Sequence, residues 1–322
     1  MAGTVLLTDH VFGGLAHERA TLGEIGYTLE EAPDKEEATL VDLAGGASAV
    51  MVCFAQITAP VIEAAASGGC KIISRYGIGV DNIDVAAATD AGILVTYVPD
   101  YCLDEVADHT MALMLSATRR VVAANREVVA DGWKIPHGGI HRLQGRRLAL
   151  IGVGRIGRKV ADRANAFGFE VVGYDPYVED WSGTGITGSA TVEEAVAEAD
   201  VISLHAPLTD ETKHVINEHT LSLMGRSPVI VNTSRGGLVD TEAVTAALDD
   251  GRISGVALDV TEPEPLPEGH PLRAHERAVI TPHMSFTSVE ATDELQRRAT
   301  DEVVRALTGE PPRCPVNPQV LS

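Results

Sequence analysis

The chain has 322 residues, too many for one small core and enough for two domains. Hydrophobic residues make up 45% of it but aromatic ones only 4%, so aliphatic and alanine side chains must fill the core. A net charge of −21 opposes a polyanionic partner such as DNA at long range, and no apolar run reaches the roughly 18 residues that read as a membrane span.

The N-terminal stretch Met1–Asp9 has the pattern of a short strand. It carries neither a basic region nor a cleavage signal, so a cytoplasmic protein is expected. Short apolar runs rich in β-branched residues then alternate with helical stretches, which predicts parallel α/β architecture. A first set of strands is expected at Val5–Thr8, Ala49–Phe54, Lys71–Arg75 and Ile93–Tyr97. A helical stretch from about Asp104 to Asp131 follows, with Val106, Thr110, Leu113 and Met114 at helical spacing, as a crossover between domains. A second set is expected at Arg147–Val153, Glu170–Asp175, Val201–His205, Val229–Thr233, Ile253–Val260 and Val279–Thr281. Thr287–Leu307 is again helical, ended by Gly309-Glu310-Pro311-Pro312. A tail helix that returns to the first set makes that domain discontinuous, 1–101 plus 289–322, around an inserted domain at 102–288. The cysteines Cys53, Cys70, Cys102 and Cys314 form no C-x-x-C pair and have no histidine cluster beside them. Free thiols in a reducing compartment are expected, with neither disulfide nor metal.

The most informative segment opens the second set. Leu148-Ala-Leu-Ile-Gly152-Val-Gly154-Arg155-Ile156-Gly157 is a buried strand running into G-x-G-x-x-G, and a helix follows with Ile156, Val160 and Ala164 on one face. Gly152 serves the tight turn, Gly154 lets backbone amides approach a pyrophosphate, and Gly157 lets the helix pack on the strand. The helix N-terminus adds partial positive charge toward phosphates. Asp175 ends the next strand, where a carboxylate accepts bonds from ribose hydroxyls and repels a 2′-phosphate. The pattern predicts a dinucleotide cofactor, NAD in preference to NADP.

Other polar residues lie just past expected strand ends, where open α/β sheets collect ligands. Arg235 follows one strand, Asp259 and Glu264 another, and His283 a third. Reducing a 2-oxo acid needs a hydride donor, a carboxylate clamp and a proton donor for the developing alkoxide. Arginine offers a bidentate fork, histidine exchanges protons near neutral pH, and a glutamate beside it steadies the imidazolium and its orientation. Prolines flank Glu264 in Thr261-Glu262-Pro263-Glu264-Pro265 and stiffen its approach. With so negative a chain, local arginines must attract an anionic substrate against the overall field.

In order along the chain, Arg75–Asp84, Val98–Asp108, the glycine loop, Leu204–Thr212, Val231–Asp240, Leu258–Pro265 and Thr281–His283 closely resemble the D-2-hydroxyacid dehydrogenase family. The resemblance spans about residues 70 to 290. It implies two Rossmann/flavodoxin-like α/β domains with parallel sheets, the nucleotide-binding domain inserted into a discontinuous substrate domain. It implies that Arg235 binds the substrate carboxylate and carbonyl, that His283 is the acid/base and that Glu264 is its partner. The loop Gly77-Ile78-Gly79 would offer amides to the carboxylate. Arg155, Ile156 and Asp175 would hold pyrophosphate and ribose, and His205 and Pro207 would border the adenine. Thr233 and Asp259 would fix the nicotinamide carboxamide, Val106 would touch its ring, and Thr212, Ser234, Arg235 and His283 join the cofactor-binding residues. A homodimer is implied, with the Asp104–Arg146 region as its arm.

Two departures bear on the substrate. Family members that use 3-phosphoglycerate carry an arginine where Phe54 stands here, so the phosphate clamp is incomplete although Arg75 remains. Phe54, Tyr76 and Tyr101 are expected either to line a partly aromatic pocket or to be ordinary core and surface residues. Met284-Ser285-Phe286 replaces the small residues usual after the histidine. The chain ends too early for the regulatory domain of some phosphoglycerate dehydrogenases. Two other readings keep the fold: an NAD(H)-sensing protein similar to the C-terminal-binding-protein corepressors, and a dehydrogenase for phosphite or formate. Glu264 opposes formate, since formate dehydrogenases of this fold pair the histidine with glutamine.

Overall fold

The computed structural model describes residues 3–135 and 139–321. Met1 and Ala2 of the expected first strand, and residues 136–138 of the expected arm, lie outside the described residues. The chain begins with β1 (Gly3–Leu7), α1 (Ala16–Glu24), β2 (Tyr27–Glu31), α2 (Glu37–Ala44), β3 (Ala47–Val52), α3 (Ala59–Ser67), β4 (Ile72–Arg75), α4 (Val85–Asp90) and β5 (Leu94–Thr96). These strands form a parallel sheet in the order β2-β1-β3-β4-β5. Helices cover both faces, so β4 and β5 are buried at every position and read as continuous apolar runs. The edge strand β2 buries only Leu29 and carries Glu30 and Glu31 outward, which is why no strand is expected there from the sequence.

The second stretch runs through α5 (Leu103–Thr118), α6 (Val121–Val129), β6 (Arg147–Ile151), α7 (Arg155–Ala166), β7 (Glu170–Tyr174), β8 (Thr187–Gly188), α8 (Val192–Ala197), β9 (Val201–Leu204), α9 (Glu218–Ser222), β10 (Val229–Asn232), α10 (Thr241–Asp249), β11 (Gly255–Leu258), α11 (Pro271–Ala274) and β12 (Ala278–Ile280). Its sheet is parallel, in the order β12-β11-β10-β9-β6-β7-β8. The single helix expected over 104–131 is two. The buried stripe of α5 ends at Met114, Arg120 takes a left-handed φ of 52°, and α6 buries none of its residues. With no apolar stripe to continue, nothing holds the second segment in line with the first.

The chain closes with α12 (Val289–Thr308). Ser288 caps it by accepting from the Ala291 amide at 2.8 Å, and Gly309 ends it at a φ of 82°. Two compact units result: residues up to Tyr101 together with those from Ser288 onward, and Cys102–Thr287. Ser288 belongs with the helix it caps, one residue before the expected boundary. In the first unit α12 packs on β4, where Ser74 Oγ donates to the Ala299 carbonyl at 2.9 Å. Glu302 near its end accepts from the Arg313 and Cys314 amides, and burial pushes its carboxyl up.

Each sheet reverses its strand order once, and the reversal places two strand ends side by side with no helix between them. In the first unit those are the ends of β1 and β3; in the second, of β6 and β9.

Candidate active site

At the reversal of the second sheet, β6 runs into the glycine loop. Gly152 has a φ of +90°, and a Cβ there would lie 2.5 Å from the Ala206 amide nitrogen. Only glycine lets the loop after β6 pass so close to the loop after β9. A Cβ on Gly157 would meet the Gly152 carbonyl at 2.4 Å, so this glycine seats α7 on the turn. Gly154 differs: a Cβ would meet nothing within 4 Å, and no side chain caps the helix it opens. The backbone there faces open space at a helix N-terminus, which suits an anion. Asp175, just past β7, accepts from the Val153 amide at 2.8 Å and the Tyr177 amide at 2.9 Å. Each carboxylate oxygen retains acceptor capacity for ribose hydroxyls. A dinucleotide thus fits the residues present. Arg155 is exposed on the first turn of α7, while Ile156 leans on the core beneath it. Gly168 follows the capping residue Phe167 at a φ of 80°.

The loops after β9 and β10 are tied to this turn. Protein atoms crowd the His205 ring although the residue keeps some exposed surface, and this desolvation lowers its pKa from 6.5 to about 4. Its Nε2 lies 2.8 Å from Ser203 Oγ. Pro207 is exposed, and its carbonyl accepts from Thr212 Oγ1 at 2.6 Å, closing the turn between them. Ser234 Oγ donates to the Ala206 carbonyl at 2.6 Å. Asn232, fully buried, shapes the turn that presents Arg235: its Oδ1 accepts from the Ser234 amide and its Nδ2 donates to the Arg235 carbonyl at 2.8 Å. Thr233 Oγ1 lies 2.8 Å from Thr110 Oγ1, and Thr110 donates to the Val106 carbonyl at 2.7 Å. Those bonds bring the expected nicotinamide neighbours Val106, on α5, and Thr233, just past β10, together.

Past β11 and β12 lies the densest polar network. The Asp259 side chain is wholly buried. Its Oδ1 accepts from Thr281 Oγ1 at 2.6 Å and the Met284 amide at 2.9 Å, and its Oδ2 from the Ser285 amide at 2.8 Å. Its carbonyl accepts from the His283 amide at 2.7 Å. What Asp259 does here is hold the loop that carries His283. His283 needs that support, because its φ of 51° is left-handed, a conformation costing on the order of 1–3 kcal/mol in a non-glycine residue. Its Nδ1 then meets Glu264 Oε1 at 2.6 Å. His109 on α5 backs the network, with Nε2 3.1 Å from Thr281 Oγ1. Asn232, Thr281 and His109 were not singled out from the sequence. Asn232 and Thr281 stand beside residues that were, and that adjacency was the signal available.

In the first unit, Arg75 is buried at the end of β4 and its guanidinium donates to the Tyr76 carbonyl. Gly77 has a φ of +142°, and a Cβ there would overlap that guanidinium, so the Gly77-Ile78-Gly79 turn folds directly over Arg75. Of the two alternatives expected for Tyr76, pocket lining or core, the structure favours the core. Its ring is 1% exposed, stacks edge-on to Phe12 and bonds Glu18 through its hydroxyl at 3.2 Å, so it is a core residue and not a pocket wall. Tyr101 is also buried, and Phe54 is half-buried on the turn after β3. None of the four cysteines forms a disulfide, and burial raises the pKa of Cys53 to about 12 and of Cys70 to about 11.

Residues 111–285 match the model of the family described as "D-isomer specific 2-hydroxyacid dehydrogenase, NAD binding domain". The chain belongs to the D-isomer-specific 2-hydroxyacid dehydrogenases. It is 34% identical over 315 residues to a glyoxylate reductase of Thermofilum pendens, covering 96% of this chain and 92% of that one. Among solved structures it resembles the TT0316 protein of Thermus thermophilus at a TM-score of 0.88 and 38% identity, over 97% and 99% of the two chains. It also resembles an NADPH-dependent glyoxylate/hydroxypyruvate reductase of Sinorhizobium meliloti, solved with NADP and malonate, at 0.87 and 26%, over 98% and 97%. The chain is thus a 2-hydroxyacid dehydrogenase with a nicotinamide-dinucleotide-binding domain of the family's type.

Proposed function

We propose that this dehydrogenase reduces a small 2-oxo acid with NADH to the D-2-hydroxy acid, and that His283 and Glu264 are its acid/base pair. The carrying observation is the 2.6 Å contact between His283 Nδ1 and Glu264 Oε1, on a loop fixed by the buried Asp259. The carboxylate can only accept, so Nδ1 carries the shared proton and Nε2 is the nitrogen that exchanges a proton with the substrate oxygen. Glu264 steadies the imidazolium that must donate. Arg235, on the turn shaped by Asn232, supplies the planar fork for the substrate carboxylate. NADH, when bound, supplies the hydride. The glycine loop and Asp175 hold its pyrophosphate and ribose; His205, Pro207 and Thr212 border the adenine side; Val106, Thr233, Ser234 and Asp259 serve the nicotinamide side. His205 stays neutral there, so it adds no charge beside the cofactor.

We infer NAD in preference to NADP because the Asp175 carboxylate repels a 2′-phosphate. Asp175→Ser should narrow the NADH/NADPH ratio in kcat/KM by tenfold or more, on the order of 1.4 kcal/mol. Arg75 with Gly77, Ile78 and Gly79, and Phe54 and Tyr101, remain our proposed substrate-binding residues in the first unit. The relative named for glyoxylate and the incomplete phosphate clamp favour a small acid without a phosphate. The reading extends to a cytoplasmic homodimer of the second unit. In support, α6 buries nothing and exposes Val121, Val128 and Val129, with Trp133 and Ile135 exposed beyond it. No described helix is long and apolar enough to cross a membrane. NADH oxidation at the 340 nm nicotinamide band, against a panel of 2-oxo acids and repeated with NADPH, tests the reading. Turnover of one small acid is the expected result, and tight NADH binding without turnover on any acid would reject it.

A further inference from the structure

The loop that carries Glu264 is held on its other side by a second histidine–carboxylate pair. Glu262 lies two residues before Glu264, and its Oε2 accepts from His214 Nε2 at 2.5 Å. The Glu262 carbonyl accepts from the buried Thr241 Oγ1 at 2.8 Å. His214 is itself fixed: its φ is 50°, its amide donates to the Gly237 carbonyl at 2.8 Å, and its carbonyl accepts from Asn217 Nδ2 at 2.8 Å. Gly236 and Gly237 continue directly from Arg235. A Cβ on Gly236 would lie 2.0 Å from the Thr261 carbonyl oxygen, and one on Gly237 3.6 Å from Glu262 Oε1. The turn that presents Arg235 therefore beds into the backbone of the Thr261–Glu264 loop, and His214 bonds both partners at once.

We propose that His214 and Glu262 are positioning residues that lock the Glu264 loop to the Arg235 turn, fixing the carboxylate fork and the acid/base pair in one register. This rests on the reading of His283 and Glu264 as acid and partner. Both side chains of the pair are about 40% exposed, so the ion pair adds little to overall stability. Its effect is on geometry, where a displacement of about 1 Å is enough to cost a large factor in rate. The charged and titratable groups against this bridge are His214 on Glu262, His283 on Glu264, and Arg235 at the head of the glycine turn. Asp259 and His109 stand behind His283.

The test uses the full chain with Glu262→Gln, His214→Gln, Glu262→Asp and His283→Ala, following 2-oxo acid reduction beside NADH binding by fluorescence and the melting temperature. In Glu262→Gln and His214→Gln kcat should fall on the order of tenfold, NADH affinity and melting temperature should hold, and Glu262→Asp should recover part of the loss. Wild-type kcat in both variants, while His283→Ala is inactive, would overturn the lock alone. Parallel loss of kcat, NADH affinity and melting temperature, with no recovery in Glu262→Asp, would also overturn it, as a merely structural role. Turnover retained by His283→Ala would remove the acid/base reading, and the lock with it.

Discussion

The two sheets reverse at corresponding places and treat the spot oppositely. In the first unit the residue after β1 plus one, Asp9, turns its carboxylate onto the turn after β3. It accepts from the amides of Cys53, Phe54 and Ala55 at 3.1, 2.8 and 3.1 Å. Asn82 closes the same turn from the far side, donating to the Ala55 carbonyl at 2.8 Å. The concentration of backbone amides that makes such a reversal an anion site is thus occupied by the protein's own anion. In the second unit the corresponding strand ends in Gly152-Val153-Gly154, no acid stands in the first turn of α7, and the space before Gly154 is open. One fold yields a reversal closed by its own carboxylate and a reversal left open for a dinucleotide, and the difference lies in Asp9 against the glycines of the loop after β6.

The sharpest way to break this contrast is within the glycine loop. Gly152→Ala forces a Cβ within 2.5 Å of neighbouring backbone at a φ of +90°, and should abolish NADH binding while costing about 1–3 kcal/mol or more of stability. Gly154→Ala meets no protein atom, so it should weaken NADH binding and leave the melting temperature nearly unchanged. Equal thermal destabilisation by the two would show that Gly154 is structural. In the closed half the expectation inverts. Asp9→Asn keeps the shape but loses charge-assisted bonds, and should destabilise the fold by about 1–3 kcal/mol with unchanged NADH affinity, measured by denaturant unfolding and a binding titration.

A smaller effect separates the halves by pH. His205, beside the open reversal, is held neutral with its pKa lowered from 6.5 to about 4. The unfolded chain binds the extra proton between those values, so its contribution to stability is complete above about 6.5 and is lost as pH falls through about 4. His205→Gln should flatten the stability–pH curve in that window by up to one proton; an unchanged slope there would reject the assignment.

How far the sequence carries differs along the chain for physical reasons. Strands buried on both faces announce themselves as continuous apolar runs, and β6, β9 and β10 lie where they are expected. Strands β2 and β8 were unannounced, since one buries a single side chain and the other has two residues. The glycine fingerprint is legible because Gly152 and Gly157 answer local steric demands while Gly154 leaves the backbone at the helix start open. The Arg120 break is not, because α6 continues in helical form but buries no face that would mark where the first helix stops. Arg235, Glu264 and His283 were nameable from their places past strand ends. The work of Asp259 and Asp9 is to accept from backbone amides distant in sequence, and no pattern along the chain records such partners. Tyr76 lies beside the expected substrate loop in sequence, and nothing along the chain decides between pocket and core, whereas its ring faces the core.

The central claim is that His283 and Glu264 move the proton while the glycine loop and Asp175 carry most of the hold on the cofactor. The most direct measurement is the single-turnover rate of NADH oxidation by His283→Ala on the best 2-oxo acid, alongside its NADH dissociation constant. The account predicts a rate lower by roughly 10²–10⁴-fold with NADH affinity within about twofold of the parent chain. A near-parental rate would contradict it outright, and a lost rate with equally lost NADH binding would contradict the division of labour between the two loops.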